Sequence, residues 1–208
     1  MVLVVFQVKS NSDNNNWNER YGTGDLPWDT GRSDFNLREI VDKRGVTPCK
    51  ALEVGCGTGS NAIWLAEQGF SVTAVDIAEK AIERAKENAA RAGVRCDFFA
   101  ADFMIEKINA GPFGFIFDRG CFHSFELAEE RTRYADKAHS YLSEDGLWLS
   151  LVGSTDEPPR DPGPPRLSAL NIVTAVEPYF QILSLYASHF DSTMEKAPMA
   201  WVCLMRRR

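Results

Sequence analysis

The sequence predicts an α/β fold in which helices cover both faces of a doubly wound, mostly parallel sheet. From residue 50 onward, segments with the pattern of buried strands alternate four or five times with segments of helical periodicity. Such alternation is typical of parallel sheets built from strand–helix–strand units. The length of 208 residues suits one domain, and a hydrophobic content of 44% supplies an ordinary core. We therefore expect a single domain over residues 1–208, with residues 1–45 as an N-terminal segment and residues 46–208 as the core.

The N-terminal segment combines a polar tail with aromatic side chains. Residues 10–34 are rich in asparagine and glycine, a composition typical of disordered segments, but the aromatic side chains within it argue against disorder. The same stretch carries three aromatic side chains that favour a covered surface: Trp17, Tyr21 and Trp28. After it, Asp34 is predicted to cap a short helix that ends at Gly45.

The first half of the core alternates regularly between strands and helices. Residues 51–54 have the pattern of a buried strand and lead into a run of glycines. Residues 60–68 and 78–92 are predicted helices, the second because its alanines recur on one face. Residues 71–77 and 96–101 are predicted strands, and each is closed by an aspartate.

The second half continues the same pattern with one interruption. Five of the ten prolines lie in residues 158–165, which predicts a stiff loop. The remaining predicted elements are a strand over 113–117, a helix over about 127–142, a strand over 147–152, a helix from Ser168 that stops before Pro178, and strands over 180–190 and 200–205.

Glycines and acidic side chains cluster where the predicted parallel strands end. Residues 53–59 read Glu-Val-Gly-Cys-Gly-Thr-Gly between a strand and a helix, where backbone N–H groups allow a ligand to approach closely. Asp76 follows Gly55 by 21 residues and ends the next strand, which suits a carboxylate that binds ribose hydroxyls. Asp102 and Asp118 close the following two strands. The pattern indicates a site for an adenosine-type cofactor.

The details of the glycine run favour a cofactor without phosphate. Ser60 stands where a dinucleotide-binding fold has its last glycine, and Glu53 would repel a pyrophosphate. A carboxylate at that position suits the ammonium of a zwitterion, and the neighbouring aspartates suit a cationic ligand. An NAD-dependent oxidoreductase is therefore the less favoured alternative.

Charge and cysteine usage limit the partners. Lys and Arg total 23 against 29 Asp and Glu, a net charge of −6 that argues against nucleic acid and against an anionic membrane surface. The five cysteines form no C-x-x-C pair, so neither a disulfide framework nor a metal site is expected. With no apolar stretch long enough for a membrane span, we expect a cytoplasmic protein that is a monomer or a weak homodimer.

The motifs as a set resemble those of the class I S-adenosylmethionine (SAM)-dependent methyltransferases, over residues 48–153. Residues 53–59 resemble the first motif, Asp76 the ribose-binding acid, and Asp102 with Phe103 the pair that brackets adenine. Asp118 resembles the acid at the end of the fourth strand. The resemblance implies a Rossmann-like seven-stranded sheet of order 3-2-1-4-5-7-6 with strand 7 antiparallel, and SAM as cofactor with S-adenosylhomocysteine (SAH) as product.

A narrower resemblance extends outside that core. Trp17, Tyr21 and residues 27–31 (PWDTG) resemble the N-terminal segment of the thiopurine S-methyltransferase-like group, which includes thiol, halide and tellurite methyltransferases. Residues 118–123 (DRGCFH) resemble the fourth-strand segment of such small-molecule enzymes. The resemblance implies a lid over the cofactor, with a tryptophan near its methionine part. The C-terminal half is shorter than in true thiopurine methyltransferases, so a drug-type substrate is not implied.

These arguments give a set of candidate site residues. Cofactor binding is assigned to Trp17, Tyr21, Trp28, Glu53, Gly55, Cys56, Gly57, Gly59, Asp76, Ile77, Asp102, Phe103 and Asp118. The candidate catalytic residues are Arg119 and His123, and the candidate acceptor-binding residues are Tyr21, Arg119, Cys121, His123 and Arg160, the last in a substrate loop over residues 154–167.

Several roles stay open. Arg119 either orients an anionic acceptor or pairs with Asp118. His123 is a candidate general base that a thiolate or halide acceptor does not need, and Cys121 is a packing residue rather than a nucleophile. The expected function is methyl transfer from SAM to a small thiol, halide or chalcogen. The alternatives are a protein or other acceptor and a non-catalytic SAM-binding protein.

Overall fold

The structure, a computed structural model, describes residues 10–24, 26–159 and 164–208. Its strands are β1 (Lys50–Val54), β2 (Ser71–Asp76), β3 (Asp97–Ala100), β4 (Phe113–Arg119), β5 (Leu142–Gly153), β6 (Phe180–His189) and β7 (Met199–Arg207). Its helices are α1 (Ser10–Thr23), α2 (Phe35–Arg44), α3 (Ser60–Glu67), α4 (Glu79–Ala92), α5 (Ala128–Tyr141) and α6 (Ala169–Val176), with a 3-10 turn at Phe122–Ser124.

The strands form one seven-stranded sheet in the order β3-β2-β1-β4-β5-β7-β6. Strand β7 runs antiparallel to both β5 and β6, and the pairs among β1 to β5 are parallel. The predicted fold class and strand order are confirmed. Because β1 and β4 are neighbours while their chain connections leave in opposite directions, the ends of these two strands border the crevice in which such sheets bind ligands.

Helices cover both faces of the sheet, as the alternating pattern predicts. On one face, α2, α3 and α4 bury Leu37, Leu65 and Ile82 against the sheet residues Phe115 and Phe117. On the other face, α5 and α6 cover a core built around the fully buried aromatic side chains Tyr134, Phe122, Trp148 and Phe180. Burial of these large apolar surfaces stabilises the sheet and fixes the positions of its strand ends.

The structure confirms the helix ends that were predicted from capping residues in α2 and α6. The Asp34 carboxylate accepts a hydrogen bond from the Asn36 N–H and begins α2, and Gly45 ends that helix at φ 64°. The Ser168 hydroxyl likewise caps α6. In both helices the cap provides an acceptor for an N–H that has no partner within the helix.

Residues 10–23 form the helix α1, which the sequence pattern did not predict, and its formation agrees with the doubt that the aromatic side chains cast on disorder. The helix lies against α4, and Tyr21 and Leu26 are buried against Ala78 and Ala81. The sequence pattern missed this helix because its polar composition hides a short aromatic face that needs a tertiary partner. Strand β5 also begins five residues before the predicted start, at Leu142, where an irregularity in the β4–β5 pairing admits the extra residues.

Among the described residues, no helix is both long and apolar enough to span a membrane. All five cysteines are free thiols. The described part of the chain also contains no group of three or more His, Cys, Asp or Glu side chains placed to hold a metal ion.

Candidate active site

The glycine run forms a tight loop between β1 and α3. The N–H groups of Gly55 and Cys56 donate to the Val75 carbonyl at 2.8 and 3.0 Å, which holds the loop against β2. Gly57 has a φ of +54°, and a Cβ placed there would lie 2.8 Å from the Tyr21 hydroxyl. Gly59 has a φ of +83°, and its Cβ would meet α4 at 3.0 Å. A side chain at either position is excluded by both backbone conformation and space.

Asp76 lies beside this loop at the end of β2. One carboxylate oxygen accepts the Gly57 N–H at 2.8 Å and the other accepts the Ala78 N–H at 2.9 Å. Burial raises the pKa of Asp76, and these backbone hydrogen bonds oppose the rise. Each oxygen keeps a further lone pair for a hydroxyl donor, so the geometry is compatible with the expected ribose contact. Ile77, half-buried, follows it directly.

Glu53 provides a buried carboxylate at the head of the loop. Its side chain is 1% exposed, and one oxygen accepts a hydrogen bond from the Asn61 amide at 3.0 Å. The other oxygen, Oε2, has no hydrogen-bond partner. Burial raises the pKa of Glu53 to about 8, with a smaller contribution from the charge of Asp76. A buried acceptor without a donor next to a glycine loop fits the ammonium group of an amino-acid ligand such as SAM.

The N-terminal aromatic side chains cover the glycine loop. Trp28 meets Trp17 and Tyr21 edge to face, with ring centroids 5.8 and 6.4 Å apart. The Arg20 guanidinium lies 4.5 Å from the centre of the Trp28 ring. The Asp29 carboxylate accepts a hydrogen bond from the Thr58 hydroxyl at 2.9 Å and ties this segment to the loop. The structure therefore brings all three predicted aromatic side chains together beside the loop.

Asp102 and Phe103 do not share one environment. The Asp102 carboxylate accepts the Met104 N–H at 2.8 Å and organises a turn after β3. The Phe103 ring is buried under α5, with its centroid 4.9 Å from that of Tyr134. The placement of Phe103 makes it a core side chain, whereas Asp102 stays partly exposed at the strand end.

Asp118 ends β4 as a buried carboxylate. It is fully buried and accepts hydrogen bonds from the Phe122 N–H at 3.0 Å and the Trp148 indole at 2.9 Å. Burial raises its pKa to about 6. Each oxygen has a donor within the protein, so Asp118 orders the turn after β4, and its contact with the cofactor stays a prediction.

Arg119 pairs with Asp34 and not with Asp118, so the predicted alternative of an Asp118 ion pair is wrong. The Arg119 Nε donates to Asp34 Oδ2 at 2.8 Å, and its side chain is 11% exposed. Its other guanidinium nitrogens donate to the carbonyls of Trp28, at 3.3 Å, and Asp191. The local sequence gave no signal for this partner, because Asp34 lies 85 residues away along the chain.

His123 is held as a neutral ring in the 3-10 turn after β4. The Gly153 N–H donates to His123 Nδ1 at 2.7 Å, which places the ring proton on Nε2. Burial, with the charge of Arg119, lowers the pKa of His123 to about 3. The neighbouring Cys121 packs against Gly55, and burial raises the pKa of its thiol. These shifts disfavour a protonated His123 ring and a Cys121 thiolate at neutral pH.

Sequence reasoning missed the segment opposite the lid. The β6–β7 loop (residues 190–198) contacts the N-terminal segment: the Thr193 N–H and the Ser192 hydroxyl both donate to the Pro27 carbonyl at 3.0 Å. Asn61, which orients Glu53, was missed as well. The loop has no local motif, and only its position next to Arg119 reveals it. Arg160 lies outside the described residues.

Comparisons with known proteins agree with this geometry. The family model described as thiopurine S-methyltransferase matches residues 12–202. A probable thiol methyltransferase of Arabidopsis thaliana is 28% identical over 161 residues, covering 76% of this chain and 70% of that protein. A thiocyanate methyltransferase of Brassica oleracea is 29% identical over 157 residues, covering 74% and 68%.

A solved structure shows the same fold. It comes from work on the conversion of a disulfide bond into a thioacetal group during echinomycin biosynthesis, and it superposes with a TM-score of 0.81 at 24% identity. The match covers 94% of this chain and 92% of that chain. With the family match spanning nearly the whole described chain, the protein belongs to the thiopurine S-methyltransferase family and is a SAM-dependent methyltransferase.

Proposed function

We propose that the methyl acceptor is a small, soft nucleophile: a thiol, a halide or another chalcogen compound. The observation that carries the proposal is the state of His123. Its Nδ1 lone pair is occupied by the Gly153 N–H, and its pKa is lowered to about 3. A histidine in this state cannot remove a proton from an alcohol or amine. An acceptor that arrives as an anion needs no such base.

Two relatives support the same acceptor class. The names of the Arabidopsis and Brassica proteins give a thiol and thiocyanate as their acceptors. Both acceptors carry a polarisable sulfur. Thiocyanate is already an anion, and a thiol can lose its proton in solution, so neither needs a base on the enzyme before the sulfur attacks carbon. The net charge of −6 supports a small-molecule acceptor over a nucleic acid.

The chain contributes binding and positioning. When bound, SAM supplies a methyl group on a sulfonium; the acceptor's electron pair forms the new bond to carbon as the sulfur–carbon bond breaks, and SAH remains. Gly55, Gly57 and Gly59 would allow the close approach of the cofactor, Asp76 would hold its ribose, and Glu53 would hold its ammonium group.

The aromatic lid completes the site. Tyr21 is buried and Trp17 and Trp28 are partly buried beside the glycine loop, where they would shield a bound cofactor from water. Aromatic faces favour a cation, and exclusion of water strengthens the attraction. Barrier lowering in this site comes from orientation and desolvation, since the leaving group is already activated.

The test offers the protein a panel of acceptors at saturating SAM and measures methyl transfer to each acceptor by the release of SAH. The panel contains thiols, iodide, thiocyanate, phenols and an unstructured protein mixture. We expect SAH release with the thiols and anions and none above background with phenols or protein. His123→Gln serves as a probe and should retain most of the rate. Turnover only with phenols or protein would refute the soft-acceptor proposal, and silence with every thiol and anion in the panel would count against it as well.

A further inference from the structure

Two segments of the chain meet above the ends of β1 and β4. We call residues 26–34 the closing segment; it carries Trp28 and is tied to the glycine loop through Asp29 and Thr58. The β6–β7 loop lies on the acceptor side, where the Phe190 ring meets the His123 ring edge to face at 5.9 Å. Cofactor and acceptor would therefore each be covered by a different segment.

Arg119 lies between these segments and contacts both. Its guanidinium donates to the Trp28 carbonyl and the Asp34 carboxylate of the closing segment, and to the Asp191 carbonyl of the β6–β7 loop. The same guanidinium lies 5.1 Å from the centre of the Phe190 ring. Each of the three guanidinium nitrogens is thus engaged by the protein itself, which leaves Arg119 poorly placed to bind an anionic acceptor as its main task.

The Asp34 carboxylate completes the junction. It is 1% exposed, and its Oδ2 accepts from both Arg119 and the Asp191 N–H, the latter at 3.1 Å. The backbone N–H of Asp34 donates to the Asn61 side-chain oxygen at 2.8 Å, and the Asn61 side-chain nitrogen donates to Glu53 Oε1 at 3.0 Å. A continuous, partly buried chain of hydrogen bonds therefore runs from the carboxylate proposed to hold the cofactor's ammonium to the β6–β7 loop.

We propose that Arg119 is a positioning residue that couples the two segments, so that closure over SAM assembles the acceptor site. The Glu53–Asn61–Asp34–Arg119 chain carries the coupling, and Asp191 is where it reaches the β6–β7 loop. The proposal rests on the proposed function only in treating the β6–β7 loop as the acceptor side. It predicts ordered binding, with SAM before the acceptor, because the acceptor side is incomplete until the closing segment is in place.

Hydrogen exchange tests the coupling without any acceptor. The reporter amides are those of Asp191 and Thr193, which donate to the closing segment, and that of Asp34. In the wild-type protein, SAH should slow exchange in both segments. In Arg119→Lys, which keeps the charge but cannot reach three partners at once, SAH should still protect residues 26–34 but should protect residues 190–194, above all the Asp191 amide, less than in the wild-type protein.

A matched control is available in the same two segments. Arg32 pairs with the Asp191 carboxylate at 3.0 Å across the surface, with the Arg32 side chain 67% exposed. Arg32→Ala should leave the SAH-induced protection of both segments intact, because exposed ion pairs contribute little. Asp34→Asn is the second test variant, and thermal unfolding of each variant establishes that it is folded.

Kinetics give an independent readout once an acceptor is found. For Arg119→Lys, the KM of the acceptor should rise about tenfold while the Kd of SAH changes less than about threefold. Equal weakening of SAH and acceptor binding would reduce Arg119 to a structural residue. Unchanged protection of residues 190–194 in both Arg119→Lys and Asp34→Asn would overturn the coupling. If no acceptor in the panel is methylated, that result counts against the soft-acceptor proposal alone. The hydrogen-exchange experiment then still tests whether Arg119 couples the two segments.

Discussion

Replacing Glu53 with glutamine should raise stability at alkaline pH and weaken cofactor binding at the same time. The folded protein raises the pKa of this carboxyl from 4.5 to about 8. That difference corresponds to about 5 kcal/mol between protonated and ionised forms, taken as an upper limit. Burial is its main cause and the Asp76 charge adds to it, while hydrogen bonds from Asn61 and the Ala62 backbone, and to a smaller extent the Arg119 charge, oppose it.

The sign of the pH dependence follows from the direction of the shift. Between pH 4.5 and 8 the folded protein holds a proton on Glu53 that the unfolded chain has released. The contribution of Glu53 to the free energy of unfolding is therefore fully present below pH 4.5 and is lost as the pH rises to 8. Glu53→Gln removes this titration, so the slope of stability against pH in this window should become flatter.

Binding of SAH should reverse the shift, because its ammonium favours the ionised carboxylate. At pH 7 the wild-type protein should release close to one proton on binding SAH, measured by calorimetry in two buffers of different ionisation enthalpy. Glu53→Gln should release none and bind SAH about tenfold more weakly. Urea denaturation at pH 6, 7 and 8 measures the stability slope.

The matched control is Glu67→Gln, which changes an exposed carboxylate at the end of α3. It should alter neither the pH slope nor the proton release. An identical pH slope in wild type and Glu53→Gln, together with unchanged SAH affinity, would refute the reasoning about the buried carboxylate.

Three further substitutions test the geometry of the site. Gly57→Ala should weaken SAH binding by more than about tenfold in a calorimetric titration. The added methyl group would lie 2.8 Å from the Tyr21 hydroxyl, and the backbone φ of +54° disfavours alanine. Wild-type affinity would contradict the close approach of the cofactor to this loop. Thr58→Ala removes the bond to Asp29 and should raise the Kd of SAH severalfold with a loss of about 1 kcal/mol in urea denaturation. Trp148→Phe leaves one Asp118 oxygen without its donor and should lower stability by about 1–3 kcal/mol, while SAH affinity in the folded protein changes little.

The fold was largely predictable because its signals are local. The alanine stripe of α4, the caps of α2 and α6, and the glycine run between β1 and α3 each depend on residues within one or two helical turns. The aspartates that close β2 and β3 were found for the same reason. Such patterns reflect backbone geometry and periodic burial, which short stretches of sequence encode directly.

The roles of the site residues depended on contacts across the chain and were less predictable. Asp118 and Phe103 have the expected positions in sequence, yet the partners of both, Trp148 and Tyr134, lie on elements far along the chain. The partner of Arg119 is a helix cap 85 residues away. The α1 helix was missed because its stability comes from packing on α4 and not from its own polar sequence.

The central claim is that the enzyme orients an acceptor that is already ionised. It is tested most directly by the pH dependence of kcat/KM for a series of thiols with different thiol pKa values, at saturating SAM. Each profile should follow the thiolate fraction of its own thiol, so the midpoints should move with the acceptor. A single midpoint shared by all the thiols would show that a group of the protein removes the proton, and would contradict the account.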